Sequence, residues 1–114
     1  MQPREIHYLL DMLNAAKLAQ DFASGIAWED FEADLMRQAA LTRQIEIIGE
    51  AARRISEESQ AQVPDIPWHQ IIGMRNRIVH EYDRLNLATI WQTVQNALPE
   101  LIRVLEPLIP PDDS

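Results

Sequence analysis

The fold is decided by residues 87–105, LATIWQTVQNALPELIRVL, because their apolar side chains recur at helical spacing. This period places one apolar stripe along one face of an α-helix. Asn86 is a suitable N-cap, since its side-chain oxygen can accept a hydrogen bond from a free N–H group of the first turn. Pro99 removes the hydrogen bond to the Gln95 carbonyl, so we expect a kink there. The stripe consists of Leu87, Ile90, Trp91, Val94, Leu98, Leu101, Ile102 and Leu105.

The same helical period continues through the rest of the chain. We predict a first helix from Pro3 to about Ala23, a second from about Trp28 to about Glu58, and a third from about Trp68 to about Tyr82. The predicted fold class is all-α, an antiparallel (up-down) helical bundle of about four main helices with a kinked last helix. We expect one domain, residues 1–114, with a frayed tail from about residue 107. Gly49 lies inside the second helix, where glycine costs about 1 kcal/mol relative to alanine, which indicates close approach of another backbone.

Composition excludes several classes of protein. The chain of 114 residues is 46% hydrophobic and 25% charged and contains no cysteine, so neither a disulfide framework nor a thiolate metal site is expected. Its apolar runs are too short to span a bilayer, and its N-terminus lacks the layout of a signal peptide, which predicts a cytoplasmic protein without membrane contact. The formal net charge of −8 argues against a broad nucleic-acid-binding surface. Any contact with RNA therefore has to use a small basic region.

Arg75 breaks the apolar pattern of the third helix. At about 100° per residue, Arg75 and Tyr82 lie on nearly the same line. That line runs along the apolar face formed by Ile71, Ile72, Met74, Ile78 and Val79. Burying a guanidinium is costly unless a partner meets it, and breaks of this kind tend to mark functional sites. The structural alternative is an ion pair with a carboxylate of the same chain, such as Glu46 or Glu50.

A motif surrounds this arginine and has the form Arg75-x4-His80-x-Tyr82, with Asn76 directly after the arginine. Further segments accompany it along nearly the whole chain: Tyr8–Leu13, Ile47–Ala51, Ile66–Trp68, Gly73–Asn76 and Trp91. Together these residues resemble the HepT-like group of the HEPN superfamily. This group supplies the toxins of bacterial toxin–antitoxin pairs, and the antitoxin is a minimal nucleotidyltransferase.

The resemblance implies a metal-independent endoribonuclease that acts as a homodimer and needs no cofactor. It assigns catalysis to Arg75 and His80, in a cleft at the dimer interface, with Asn76 in a supporting role. It also assigns Tyr82 as the acceptor of an adenylyl group from the nucleotidyltransferase antitoxin, a modification that silences the toxin. The implied substrate is RNA, with tRNA and mRNA as the candidates.

RNA cleavage suits these residue types. It requires a base for the 2′-hydroxyl, an acid for the 5′ leaving group and positive charge at the phosphate. His80 can act as base or acid, and Arg75 can stabilise the developing negative charge. The remaining acid–base role falls to water, to Tyr82 or to a second His80 from another copy of the chain.

The helical spacing sets a geometric problem for this chemistry. Residues five positions apart on a regular helix point about 140° away from each other, so Arg75 and His80 face different directions. Three resolutions exist: the arginine side chain wraps around the helix, the helix is distorted near His80, or two copies supply complementary groups. We favour two copies.

Two other functions fit the same sequence. One is a non-catalytic helical partner, or substrate-binding subunit, of a minimal nucleotidyltransferase. The other is a structural dimerisation module. No metal site is expected, because His7 and Asp11 are more simply a surface pair and the chain has no Glu-x-x-His pair of the di-metal bundle kind.

Overall fold

The computed structural model describes residues 1–110, which form helices and turns without a β-strand. The α-helices are α1 (Ile6–Ala23), α2 (Trp28–Glu32), α3 (Leu35–Arg53), α4 (Glu57–Ala61), α5 (Trp68–His80), α6 (Leu87–Gln92) and α7 (Leu98–Leu105). Helix α3 packs against both α1 and α5, and α7 packs against α1. The prediction of an all-α helical bundle is confirmed. None of the helices within residues 1–110 combines the length and apolar character needed to cross a membrane.

The interior is an apolar cluster to which the long helices all contribute. Its fully buried side chains include Leu9, Met12, Phe31, Leu41, Ile48, Ile66, Ile90 and Leu105. The rings of Trp28, Phe31 and Trp91 lie with centroids 5.1–6.2 Å apart, so aromatic contacts attach α2 to α6. Trp68 is buried at the start of α5, where its indole N–H donates to the Val63 carbonyl at 3.0 Å.

The predicted second helix, from Trp28 to about Glu58, is wrong in its extent, because the chain forms three helices there. The Asp34 carboxylate accepts a hydrogen bond from the Arg37 backbone N–H at 3.0 Å and caps the start of α3. The Ser56 hydroxyl accepts from the Ser59 backbone N–H at 3.2 Å and caps α4. Each cap satisfies an N–H group that a helix start leaves without an internal partner, so it begins a new helix. The apolar period runs across both breaks and hides them.

The last helical stretch, in which a kink is predicted at Pro99, is interrupted just before that residue. Between α6 and α7, residues Thr93–Ala97 form a π-helical segment. Pro99 then falls in the first turn of α7, where a missing N–H group is tolerated. Beyond α7, Glu106–Leu108 form a 3-10 turn. The end of the predicted frayed tail, residues 111–114, lies outside the described residues.

Candidate active site

Arg75 is a residue of α5 whose side chain lies against α3, with only 18% of that side chain exposed. Its Nη2 atom forms an ion pair with Oε2 of Glu50 at 3.0 Å, and its Nη1 atom donates to Oδ1 of Asn76 at 3.1 Å. Its Nε atom is buried and has no hydrogen-bond partner among the described residues. The guanidinium is therefore held from two directions, by α3 through Glu50 and by its own helix through Asn76.

Gly49 explains how Arg75 comes this close to α3. A Cβ atom added at Gly49 would overlap the Cβ of Arg75, and it would lie 3.0 Å from both the Arg75 Cγ and the Ile71 carbonyl oxygen. The predicted close approach at Gly49 is confirmed, and the approaching group is the backbone and side-chain base of α5. Because Gly49 has no side chain, the base of Arg75 can lie directly against the backbone of α3.

Glu50 binds three arginines. In addition to Arg75, it accepts from Nε of Arg53 at 3.0 Å and from Nε of Arg54 at 3.1 Å. Partial burial acts to raise the pKa of Glu50. The hydrogen bonds from Arg53 and Arg54, and the charges of Arg53 and Arg75, outweigh that effect and hold the pKa below its ordinary value of 4.5. Of the two carboxylates considered from sequence as partners for Arg75, Glu50 is the one in contact.

Glu46 lies one turn earlier on α3 and has a different partner. It pairs with Arg43 at 3.4 Å, and 31% of its side chain is exposed, against 32% for Glu50. An open cavity of about 410 Å³ lies beside both carboxylates. Its charged lining is balanced, with three arginines and three acids: Arg43, Arg54, Arg75, Asp11, Glu46 and Glu50.

His80 and Tyr82 lie at the other end of the motif and are exposed. His80 is the last residue of α5, and Asn76, one turn earlier, is also exposed. The third helix therefore ends slightly before the predicted Tyr82. Glu81 leaves the helical conformation, with φ −133° and ψ 36°, and Tyr82 opens a 3-10 turn with 63% of its surface exposed. Within residues 1–110, neither the His80 imidazole nor the Tyr82 hydroxyl makes a hydrogen bond.

The structure joins Arg75 and Asn76 by a hydrogen bond, and within residues 1–110 the His80 side chain makes no hydrogen bond to either of them. Helix α5 is regularly α-helical from Trp68 to His80, so the distortion considered from sequence is not seen in that segment. The side chain of Arg75 does not wrap toward His80, because its guanidinium is bound to Glu50 and Asn76. The site shared between two copies of the chain stays a prediction.

Two residues around Arg75 are absent from the sequence-based site predictions. Arg53 binds Glu50 and lies three positions after it, a spacing that places side chains side by side on a helix. Tyr8 lines the cavity from α1, and no spacing signal connects it to α5. Among residues 1–110 no group of three or more His, Asp or Glu side chains is arranged to hold a metal ion.

Comparison with known families identifies the chain. The family model described as "Ribonuclease HepT-like" matches residues 12–108. The chain belongs to the HepT-like ribonuclease family. That match includes the whole segment from Gly49 to Tyr82 and therefore every residue discussed around Arg75 and His80.

This HepT-like chain is similar to relatives over most of their length. A protein of Thermococcus cleftensis named "Probable ribonuclease HepT" is 36% identical over 94 residues, which cover 82% of this chain and 86% of the relative. A protein of Caldanaerobacter subterraneus subsp. tengcongensis, named provisionally as an RNase, is 33% identical over 102 residues, covering 90% of this chain and 91% of the relative. No solved structure was found to match the chain.

Proposed function

We propose that this chain is a metal-independent endoribonuclease that works as a homodimer, with Arg75 and His80 as its catalytic residues. The observation that carries the proposal is the contrast within one motif. The guanidinium of Arg75 is fixed by two partners, whereas the imidazole of His80 is exposed at the end of α5 and makes no hydrogen bond within residues 1–110. Membership of the HepT-like ribonuclease family supports RNA as the substrate. We keep tRNA and mRNA as the candidate substrates to test.

The proposed reaction needs no group beyond side chains and RNA. The 2′-hydroxyl oxygen attacks the adjacent phosphorus, a base takes the hydroxyl proton, and the bond from phosphorus to the 5′ oxygen breaks. An acid protonates the leaving 5′ oxygen, and the product strand ends in a 2′,3′-cyclic phosphate. One His80 can serve as base or as acid but not as both at once, so we assign the other role to His80 of a second copy. Arg75 stabilises the negative charge that develops on the phosphate oxygens.

The charges around Arg75 agree with a role at phosphate despite the acidic chain. Arg53, Arg54 and Arg75 all bind Glu50, so this cluster of four side chains has three positive charges and one negative charge, although the lining of the adjacent cavity as a whole, which includes Asp11 and Glu46, is balanced. A small region of this kind can attract a phosphodiester while the rest of the surface, with a net charge of −8, repels non-specific nucleic acid. Arginine also suits this task because its fork of N–H donors matches phosphate oxygens.

The nuclease test compares wild type with His80→Ala on tRNA and mRNA in the presence of EDTA. We expect wild type to cleave and to leave a 2′,3′-cyclic phosphate, and His80→Ala to lose about 10²–10⁴-fold in rate. The melting temperature of His80→Ala controls for folding and should match wild type, since His80 is exposed. Equal cleavage by both proteins would refute the catalytic role of His80. Activity that EDTA abolishes would refute metal independence.

The shared site makes a quantitative prediction for mixed dimers. If each site needs two His80 imidazoles, a dimer with one wild-type and one His80→Ala subunit is inactive. After subunits have exchanged fully, an equal mixture of the two proteins should have about one quarter of the activity of wild type at the same total protein concentration. The reason is that the fraction of fully wild-type dimers is the square of the wild-type fraction. Retention of about half would contradict a site that uses both histidines. Sedimentation as a monomer at micromolar concentration would contradict the homodimer itself.

We further propose that Tyr82 is adenylylated by a minimal nucleotidyltransferase antitoxin. The support is that its phenol is exposed and lies two residues after His80, on the 3-10 turn that follows α5. In this transfer the phenol oxygen attacks the α-phosphate of ATP, pyrophosphate leaves and the phenol loses its proton. The added AMP brings bulk and negative charge to the site, which hinders binding of another phosphate.

Intact mass spectrometry tests the modification of Tyr82. After incubation with the nucleotidyltransferase, ATP and magnesium, wild type should gain the mass of AMP and lose nuclease activity. Tyr82→Phe should gain no mass and remain active. Tyr8 serves as the internal comparison, because Tyr8→Phe should still be modified. Mass gain on Tyr82→Phe would place the acceptor elsewhere.

A second candidate function is favoured by the ion pair between Arg75 and Glu50. The same contact would occur in a non-catalytic helical protein that serves as a partner or substrate-binding subunit of the nucleotidyltransferase. In that case His80→Ala and wild type would behave alike in RNA cleavage and in growth arrest, while Tyr82 would still accept AMP. The two functions therefore separate on the His80→Ala variant.

A further inference from the structure

We propose that Glu50 is a positioning residue for Arg75, which it holds in the orientation that the phosphate requires. This inference rests on the proposed nuclease function and adds a residue of α3 to a site that the motif confines to α5 and the turn after it. Glu50 would not contact the RNA. It would act only through the guanidinium that it binds at 3.0 Å.

The first argument is how the guanidinium is oriented. Two bonds at different nitrogen atoms define the plane and direction of a planar fork, whereas one bond leaves it free to turn. Asn76 supplies the bond at Nη1 and Glu50 supplies the bond at Nη2. Asn76 is the neighbour of Arg75 on the same helix, so Glu50 is the partner that fixes the guanidinium relative to the rest of the bundle.

The second argument is that Glu50 is itself fixed. Arg53 binds Oε2 and Arg54 binds Oε1, so both carboxylate oxygens are occupied by residues of α3 and its C-cap. A carboxylate held in this way is a rigid acceptor. Because Arg53 and Arg54 supply two further positive charges, Glu50 orients Arg75 without cancelling the positive charge of the group as a whole.

The third argument is that this arrangement has costs that packing alone does not explain. The Nε atom of Arg75 is buried without a hydrogen-bond partner among the described residues, and a buried unsatisfied donor is unfavourable. Gly49 removes a side chain from the middle of α3, where glycine weakens a helix. Gly49 allows the base of Arg75 to lie against α3, where its guanidinium reaches Glu50, and the unsatisfied Nε atom is a cost of that burial.

Glu46 offers a matched control on the same helix. It is a carboxylate with nearly the same exposure as Glu50 and it also binds an arginine, but that arginine is Arg43, outside the motif. Replacement of either glutamate by glutamine removes one negative charge and keeps the shape of the side chain. A general effect of charge should therefore appear in both variants, and an effect of positioning only in Glu50→Gln.

The experiment measures kcat and KM for RNA cleavage in EDTA with wild type, Glu50→Gln, Glu50→Asp and Glu46→Gln. We expect Glu50→Gln to lower kcat by about 10- to 100-fold with little change in KM, since a misplaced catalytic group affects the transition state more than binding. Glu50→Asp keeps the charge and should recover part of the loss. Glu46→Gln should stay within about 2-fold of wild type.

A double-mutant cycle shows whether Glu50 acts through Arg75. In an Arg75→Ala background, Glu50→Gln should cause no further loss, because no guanidinium remains to be positioned. The inference is overturned if Glu50→Gln behaves like Glu46→Gln, or if it causes the same loss with and without Arg75. Should Glu50→Gln fail to fold, Glu50→Asp is compared in the same cycle. Wild-type activity of Arg75→Ala would refute the proposed function of Arg75, which is a separate outcome.

Discussion

The two ends of the motif are built in opposite ways. Arg75 is mostly buried, lies against a glycine and is bound by Glu50 and Asn76. His80 and Tyr82, only five and seven residues later, are exposed where α5 ends, and their side chains make no hydrogen bond within residues 1–110. Arg75 is therefore packed into the helical bundle, whereas His80 and Tyr82 are accessible to solvent.

This difference suits two separate roles in a nuclease site, stabilisation of charge and transfer of protons. A group that stabilises charge works best when it is held in place before the substrate arrives, because no reorganisation is then needed during the reaction. A group that must exchange protons with the substrate, or be modified by another enzyme, has to be accessible. The buried end is therefore expected to respond to mutation in both stability and activity, and the exposed end in activity alone.

The largest expected effect tests this separation directly. Arg75→Ala and His80→Ala should each lower RNA cleavage by about 10²–10⁴-fold, because each removes a group to which we assign a catalytic role in our proposal. Only Arg75→Ala should also lower the free energy of unfolding, by about 1–2 kcal/mol, since it removes packing against α3 and a bond to Glu50. The measurements are initial rates in EDTA and chemical denaturation. Equal destabilisation by the two variants would show that the two ends are not built differently.

The two glycines flanking this region give a second, smaller contrast. Gly49→Ala should destabilise the protein by about 1–3 kcal/mol, because the new methyl group overlaps the base of Arg75. Gly73→Ala should stabilise it by about 0.5–1 kcal/mol, because an added Cβ meets no atom within 4 Å and alanine favours the helix. Thermal or chemical unfolding of both variants measures the signs. Shifts of the same sign would mean that the close approach at Gly49 does not decide how an added methyl group changes stability.

Much of the bundle follows from the sequence because its apolar stripes have a helical period. The breaks at Asp34 and Ser56 do not follow, since apolar residues keep their period across them and the caps act through single side-chain oxygen atoms. The end of α5 is predicted more closely, at about Tyr82 against His80 in the structure. No glycine or proline lies among residues 81–86, and the helix ends where Glu81 adopts a non-helical backbone conformation.

The surroundings of Arg75 could be predicted only in part. The sequence indicates a close approach at Gly49 and a carboxylate partner for Arg75, and both are found. It does not choose between Glu46 and Glu50, because these residues lie one turn apart on the same helix and differ only in their position along α3. Packing makes that choice, because Gly49 admits the base of Arg75 next to Glu50 and leaves Glu46 to Arg43.

The smallest expected effect is a pH dependence of the free energy of unfolding, which arises from Glu50 beside Arg75. Because the pKa of Glu50 is lowered in the folded protein, its ionised form stabilises the fold at pH values above the ordinary carboxyl value of 4.5. That contribution is lost as the pH falls through the lowered pKa, where Glu50 takes up a proton. Partial exposure limits it to below about 1 kcal/mol.

Glu5, Asp34 and Glu100 also have lowered pKa values, so the acid sensitivity of wild type alone does not isolate Glu50. The useful measure is the difference in melting temperature between wild type and Glu50→Gln, because the other groups are common to both proteins. We expect this difference to be largest near neutral pH and to shrink as the pH falls below 4.5, because protonated Glu50 then resembles glutamine. The corresponding difference for His80→Ala should stay close to zero at neutral pH, since the exposed imidazole has no bond to lose. If the Glu50→Gln difference persisted unchanged into acid, the carboxylate charge would not be what holds Arg75 against α3.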